Sequence, residues 1–170
     1  ECSFTSEPIT FAGVITTSQG MRLPSVQVVS TNPNTLDDYE EGTWTVVLGG
    51  EGGQSGQTYT QQTGHYVKLG QVVACSFDVI LSAKGTITGA VVVKGFPFTS
   101  LTAAQYSVGA CRWISMTTAI TAAILQMTTN ETYAYLYFTT AAATSMTGAL
   151  TADIADTTRL MGTVVYRAAA

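Results

Sequence analysis

The sequence predicts an all-β protein, and three observations support this class. Threonine and valine are abundant, whereas lysine, glutamate and leucine are sparse, a balance that favours strands over helices. Short apolar segments alternate with clusters of Gly, Asn, Ser and Thr, which is the spacing of a β-sandwich or barrel. Strict alternation is clearest in two segments. It places Val73, Cys75, Phe77, Val79 and Leu81 on one face, and separates Tyr133, Tyr135 and Tyr137 from Ala134, Leu136 and Phe138.

The candidate strands follow one another along the whole chain. They cover 9–16, 25–30, 43–49, 57–62, 64–69, 71–82, 86–94, 106–117, 120–128, 131–140 and 159–167. The glycine-rich segment 49–57 is predicted to be a flexible tip, and Ala83-Lys84-Gly85 a hairpin turn. The small, Ala-rich segment 141–158 is predicted to be a loop or to hold one short helix at 149–155. Residues 1–35 are predicted to form an extended arm, and 36–170 a β-sandwich head domain.

Composition excludes several classes of protein. The 170 residues fit one domain, of which 46% are hydrophobic and only 11% charged. The seven lysines and arginines are scattered and the net charge is −4, which argues against nucleic-acid binding. No run of about 18 apolar residues predicts membrane insertion. Such a sparsely charged surface is instead typical of a protein that hides part of it in a subunit interface.

The three cysteines match no zinc motif. Cys75 and Cys111 lie within apolar runs, which predicts buried free thiols. For Cys2, which lies near a terminus, a disulfide between two chains is the alternative to a free thiol. No cofactor is predicted from these residues.

The acidic cluster 37–41 has three interpretations. A solvated turn that leads into the first main strand is favoured over a calcium site and over a catalytic carboxylate pair. His65 is the only histidine, is predicted to lie at a strand start, and has no G-x-S-x-G elbow to serve. No catalytic or metal-binding residue is therefore assigned.

Aromatic residues provide the remaining candidates. Tyr59, His65 and Trp113 are candidate ligand-binding residues, although a strand tryptophan more often belongs to a core or an interface. The face formed by Tyr133, Tyr135 and Tyr137 needs either a covering neighbour or a ligand. In a chain with so little charge, a subunit interface is the favoured interpretation.

Three segments together resemble the C-terminal β-rich domain of bacteriophage tail-fibre and related virion fibre proteins. The first is NTLDDYEEGTWT at 34–45, and the second is 59–73, whose GHYVKLG resembles the family's G-R-Y-x-K-I-G strand pair. The third runs from LSAKG to GFPF at 81–98 and resembles the family's hairpin. The resemblance covers 22–100. Val46 stands where the family usually has proline and His65 where it has arginine, so no role is transferred to position 65.

The resemblance implies a trimeric, jelly-roll-like β-sandwich on a virus particle, with strand faces packed about a three-fold axis. It supplies no catalytic residue. The expected function is a non-enzymatic fibre tip that attaches to a host glycan or protein through the loops 49–57, 83–86, 99–105 and 141–148. The alternative is a capsid decoration, cement or head-fibre protein, held to other virion proteins by the arm 1–35. A glycan-degrading enzyme is the least favoured class, because it needs a carboxylate pair and usually a long β-helix.

Overall fold

A computed structural model describes Ser18, 38–103 and 105–169 of the chain. Twelve strands form: β1 Tyr39–Trp44, β2 Val47–Gly50, β3 Gly53–Ser55, β4 Thr58–Leu69, β5 Val72–Ala83, β6 Thr86–Thr88, β7 Val91–Lys94, β8 Ser107–Met116, β9 Ala122–Met127, β10 Tyr133–Thr139, β11 Thr147–Gly148 and β12 Ile154–Arg167. The predicted all-β class is confirmed, and the described residues hold no helix long and apolar enough to cross a membrane. The arm 1–35 with its two predicted strands, apart from Ser18, lies outside the described residues, as does Cys2.

Ten strands form one curled antiparallel sheet. Its order is β1-β4-β5-β12-β8-β9-β10-β7-β2, with β11 paired to β10, while β3 and β6 form a separate two-stranded sheet. Trp44 of β1 and Leu48 of β2 come from opposite ends of this order, yet both belong to one buried cluster. The sheet must therefore curl until its first and last strands share a core.

Strict alternation correctly predicted the buried faces of two strands. The predicted apolar face of β5, from Val73 to Leu81, is buried at every second residue. On β10, Ala134, Leu136 and Phe138 are buried, and the tyrosines between them are half-buried. Burial of these side chains on the inner face of the sheet removes apolar area from water and stabilises the fold.

Several predicted boundaries were wrong. The segments 57–62 and 64–69 are one continuous strand, β4, so His65 lies well inside a strand and not at its start. The predicted strand 43–49 is broken between β1 and β2, and 86–94 is broken between β6 and β7. The first break occurs where the chain passes from one end of the sheet order to the other.

The structure also differs from the prediction in two segments, one predicted to be a loop and the other a loop or a short helix. The glycine-rich tip 49–57 contains β3, which pairs with β6 through Gln54 and Ile87. The short helix expected at 149–155 is only a 3-10 turn at Thr151–Asp153, and β12 then begins at Ile154.

The antiparallel order gives the domain two distinct ends. At the lower end β1 begins and β12 ends, and the Gly70 amide donates to the Asp38 carbonyl at 2.8 Å. The upper end carries the connections 51–57, 84–90, 117–121 and 140–153, because the strands before them all run upward. The described chain thus begins and finishes at the same end.

The predicted burial of Cys75 and Cys111 is confirmed, and both are free thiols. Burial raises the pKa of each thiol to about 12. Since the thiolate is the nucleophile, we expect both to resist iodoacetamide at pH 8 in the folded protein and to react in guanidinium chloride. Mass spectrometry of the two peptides measures this, and rapid labelling of the native protein would contradict the burial of β5 and β8.

Candidate interaction surface

The structure does not bring the three candidate ligand-binding residues together. Tyr59 is half-buried near the start of β4, and its hydroxyl donates to the Leu48 carbonyl at 3.2 Å. Burial raises the pKa of that hydroxyl. Trp113 packs against the core on β8, two strands beyond β5 in the sheet order, whereas His65 is exposed on the opposite face of β4. A binding role for each remains a prediction.

Tyr133, Tyr135 and Tyr137 form a strip on the outward face of β10, here called the tyrosine strip. Neighbouring rings contact one another, with centroids 5.5 Å apart for the first pair and 6.3 Å apart for the second. The Tyr135 hydroxyl donates to Glu51 at 2.5 Å, and burial together with this bond raises its pKa. The chain itself covers part of the strip, and its role as a trimer interface remains a prediction.

The described part of the acidic cluster, 38–41, is not a solvated turn, because Asp38 is buried and the next three residues belong to β1. Its carboxylate forms an ion pair with Lys68, which is also buried and lies 5.3 Å from the centre of the Phe98 ring. Tyr66 donates a hydrogen bond to Glu40, which raises the pKa of the Tyr66 hydroxyl to about 12. These carboxylates hold β1 against β4. No group of three or more His, Cys, Asp or Glu side chains within the described part of the chain is placed to hold a metal ion.

The segments that carry the family resemblance pack against one another. The Trp44 ring stacks on Phe96 with centroids 4.8 Å apart. It also covers Gly64 so closely that an added Cβ would lie 2.6 Å from the indole. In the same cluster, Tyr66 packs edge-on against Phe98 at 5.4 Å. Residues from the three segments therefore form one structural unit in the lower half of the sheet.

The outward-facing side of β1, β4, β5, β12 and β8 is exposed, and we call it the outer face. Strand register places Val67 opposite Ala74 and Ala74 opposite Val165. Val108 on β8 continues the row, since it lies two residues before Ala110, which pairs with Thr163. These four residues form the valine ridge, in which the valines are 43% (Val67), 51% (Val165) and 59% (Val108) exposed.

A shallow trough of small and polar side chains runs above the valine ridge. Each of its members pairs with the next across the sheet, and all are exposed: Thr43, His65, Ser76, Thr163 and Ala110. Surface depressions follow this row from Glu41 on β1 to Arg112 on β8. Val67 and Ala74 of the valine ridge also line these depressions, so the ridge forms one of their walls.

Charges lie mainly at the two margins of the outer face. Glu41 is exposed on β1, while Arg112 on β8 and Arg167 on β12 are exposed on the other side. Between these margins, the Arg159 Nε donates to Asp78 at 2.9 Å, and this bond lowers the pKa of the Asp78 carboxyl. One margin is acidic and the other basic, and the interior of the face is close to neutral.

Comparison with protein-family models, curated proteins and solved structures finds no match to this chain.

Sequence reasoning missed the valine ridge. On β5, Val72 and Ala74 alternate with the buried Val73 and Cys75, so the beginning of the strand is apolar on both faces. Such a strand is normally covered on both sides. Val72 and Ala74 were the signal for the ridge in the sequence. They were overlooked because the residues of the inner face were enough to predict the strand.

Proposed function

We propose that the chain is a head domain of a bacteriophage virion fibre, a non-enzymatic homotrimer that attaches the particle to the host surface. The observation that carries this proposal is the mutual packing of the three segments that resemble virion fibre proteins. Trp44, Gly64 and Phe96 come one from each segment and meet in one cluster. The three segments therefore form one structural unit, as a shared domain of this kind requires.

The two ends of the domain suit attachment. The described domain begins at Asp38, at the lower end, and the upper end lies opposite this point. Three of the four loops expected to make contacts, 49–57, 83–86 and 141–148, lie at this upper end. The fourth, 99–105, lies at the lower end and does not join them.

Hydrogen bonds hold the upper loops in place. Lys84 donates through Nζ to the Ile154 carbonyl at 2.9 Å, and Thr151 donates to the Ile87 carbonyl at 2.6 Å. A rigid loop loses little conformational entropy on binding. Three such sites on one trimer bind a repetitive host glycan with avidity even when each site is weak.

The acidic residues have structural partners that support a non-enzymatic function. The Asp153 carboxylate accepts hydrogen bonds from Thr118 and from the Leu150 amide, and Asp156 accepts from the Lys84 amide at 2.8 Å. With Asp38 and Asp78 in ion pairs, these carboxylates hold loops and strands together.

Gold-labelled antibodies raised against the upper loop 141–148 test the proposal on intact particles. We expect label at the distal ends of fibres. Label spread over the capsid would contradict the fibre-tip proposal and would support the alternative, a capsid decoration protein. Particles that carry no label, although the antibody binds the purified chain, would contradict a virion location.

A further inference from the structure

We propose that the tyrosine strip binds a neutral carbohydrate chain and is not a subunit interface. The inference rests on the proposed function, because it gives the host glycan a site on the domain. The strip follows β10 toward the upper end, where Tyr137 lies opposite Gly148 of β11. Glu51 and Gln54, which flank the strip, belong to the loop 49–57 that is expected to contact the host. A ligand on the strip would therefore also reach the upper loops.

The three rings form a row of apolar surface with fixed positions. Tyr133, Tyr135 and Tyr137 point to the same side of β10, and neighbouring ring centroids lie 5.5 and 6.3 Å apart. Each ring is half-buried, so part of its surface stays open to a ligand. The face of an aromatic ring is electron-rich, and the C–H groups on one side of a sugar ring pack against such a face. Tyrosine also loses little conformational entropy on binding, because it has only two side-chain torsions.

Polar groups beside the rings are held in place and keep hydrogen-bonding capacity for a ligand. Within the described residues, Glu51 accepts from the Tyr135 hydroxyl through Oε1 at 2.5 Å, and its Oε2 has no donor. Gln54 accepts from Lys94 at 2.8 Å, and its amide NH₂ stays available as a donor. The Glu51 backbone amide donates to the Ala90 carbonyl at 2.9 Å, which fixes the base of this side chain. An acceptor and a donor beside apolar rings match sugar hydroxyls, which both donate and accept.

The same polar groups disfavour a second copy of the chain on the strip. An apolar strand face packed there would remove the Glu51 carboxylate and the Gln54 amide from water without giving either a new partner. A buried polar group without a hydrogen bond is destabilising, and a buried charge is more so. A carbohydrate instead covers the rings with its C–H groups and offers hydroxyls to both side chains.

Charge selects the class of carbohydrate. Glu51 places a carboxylate beside Tyr135, the central ring of the strip, and the neighbouring cation, Lys94, is already bonded to Gln54. An acidic sugar would bring a second negative charge close to Glu51, and like charges repel. Single-stranded nucleic acid also stacks on aromatic rings, but it binds in positively charged grooves. The strip therefore fits a neutral chain.

Nuclear magnetic resonance of the full chain with ¹³C-labelled tyrosine rings tests the site. The probes are linear oligosaccharides of glucose, galactose, mannose and N-acetylglucosamine, each titrated into the protein. We expect at least one of them to shift the ring signals of Tyr133, Tyr135 and Tyr137. Tyr39 and Tyr106 are internal controls, because they lie outside the strip and are 46% and 64% exposed. Equal shifts at the two controls would show contact with any exposed ring and would overturn the inference.

Variants distinguish the rings from the polar groups. Tyr137→Ala removes a ring, and Gly148→Leu covers the same ring from the opposite strand while every tyrosine stays in place. We expect each to weaken binding by about tenfold. Tyr106→Ala is the matched control and should leave the affinity unchanged. Glu51→Gln should weaken binding of the neutral probe severalfold and strengthen that of oligogalacturonate, the acidic counterpart of the galactose chain.

Circular dichroism and light scattering check the fold and the mass of each variant. The inference is overturned if no probe shifts the tyrosines of the strip, or if the wild type binds oligogalacturonate more tightly than the galactose chain. A fall in mass caused by Tyr137→Ala would also overturn it, because the strip would then be a subunit interface. Antibody labelling of particles is independent of these measurements, so the virion location and the carbohydrate site can fail separately.

Discussion

Replacement of Lys68 by methionine is expected to lower the free energy of unfolding by about 3–5 kcal/mol. Lys68 and Asp38 are both buried and form an ion pair. Methionine keeps most of the lysine stem but leaves the Asp38 carboxylate without its counter-charge in a site that water scarcely reaches. An uncompensated buried charge costs far more than a lost surface ion pair. Denaturation in guanidinium chloride at pH 7 measures the change, at one fixed protein concentration because association adds to stability.

A double-mutant cycle distinguishes the buried charge from lost packing. Asp38→Leu alone should cost about as much as Lys68→Met, since it removes the carboxylate that balances the charge of the buried Lys68 ammonium. The double variant removes both charges, so its loss should be much smaller than the sum of the two single losses. Two single losses below about 1 kcal/mol that simply add would show that water screens the pair as it screens a surface pair.

The strands that sequence predicted best are those whose environment differs between their two faces. On β10 the apolar face contacts the core and the tyrosine face does not, so alternation alone predicts the element and its orientation. The boundary at Gly64 was wrong for a physical reason. A glycine inside a strand pattern suggests a break, but here it makes room for the Trp44 ring, a contact between residues twenty positions apart.

The candidate site was harder to predict than the fold. The valine ridge takes one residue from each of four strands, and only the register places Val67, Val165 and Val108 in one row. Composition indicated that some surface is hidden, because only 11% of the residues are charged. It did not indicate which face. The tyrosines attracted attention as large aromatics, whereas the larger exposed apolar area consists of smaller side chains.

Gly64→Ala is the second substitution with a large expected effect. We expect it to destabilise the protein, whereas replacement of a strand glycine by alanine usually stabilises one. Alanine normally improves a strand over glycine by about 0.5–1 kcal/mol. At this position a Cβ would lie 2.6 Å from the indole of Trp44, which stacks on Phe96 and meets Phe77 edge-on with centroids 6.1 Å apart. The indole has no room to retreat. We expect a loss of about 1–3 kcal/mol in the free energy of unfolding, the usual cost of overpacking a core.

Gly148→Ala is the matched control, since a Cβ there meets only the Tyr137 ring, at 3.7 Å. We expect it to be neutral or slightly stabilising. In a Trp44→Leu background, which already has a cavity, the Gly64→Ala change should cost little, because the obstructing ring is gone. An equal loss in both backgrounds would mean that the alanine strains the β4 ladder and not the indole. If the loss instead depends on Trp44, then Trp44 and Gly64, which lie in two of the segments that resemble virion fibre proteins, act as one packing unit in the core.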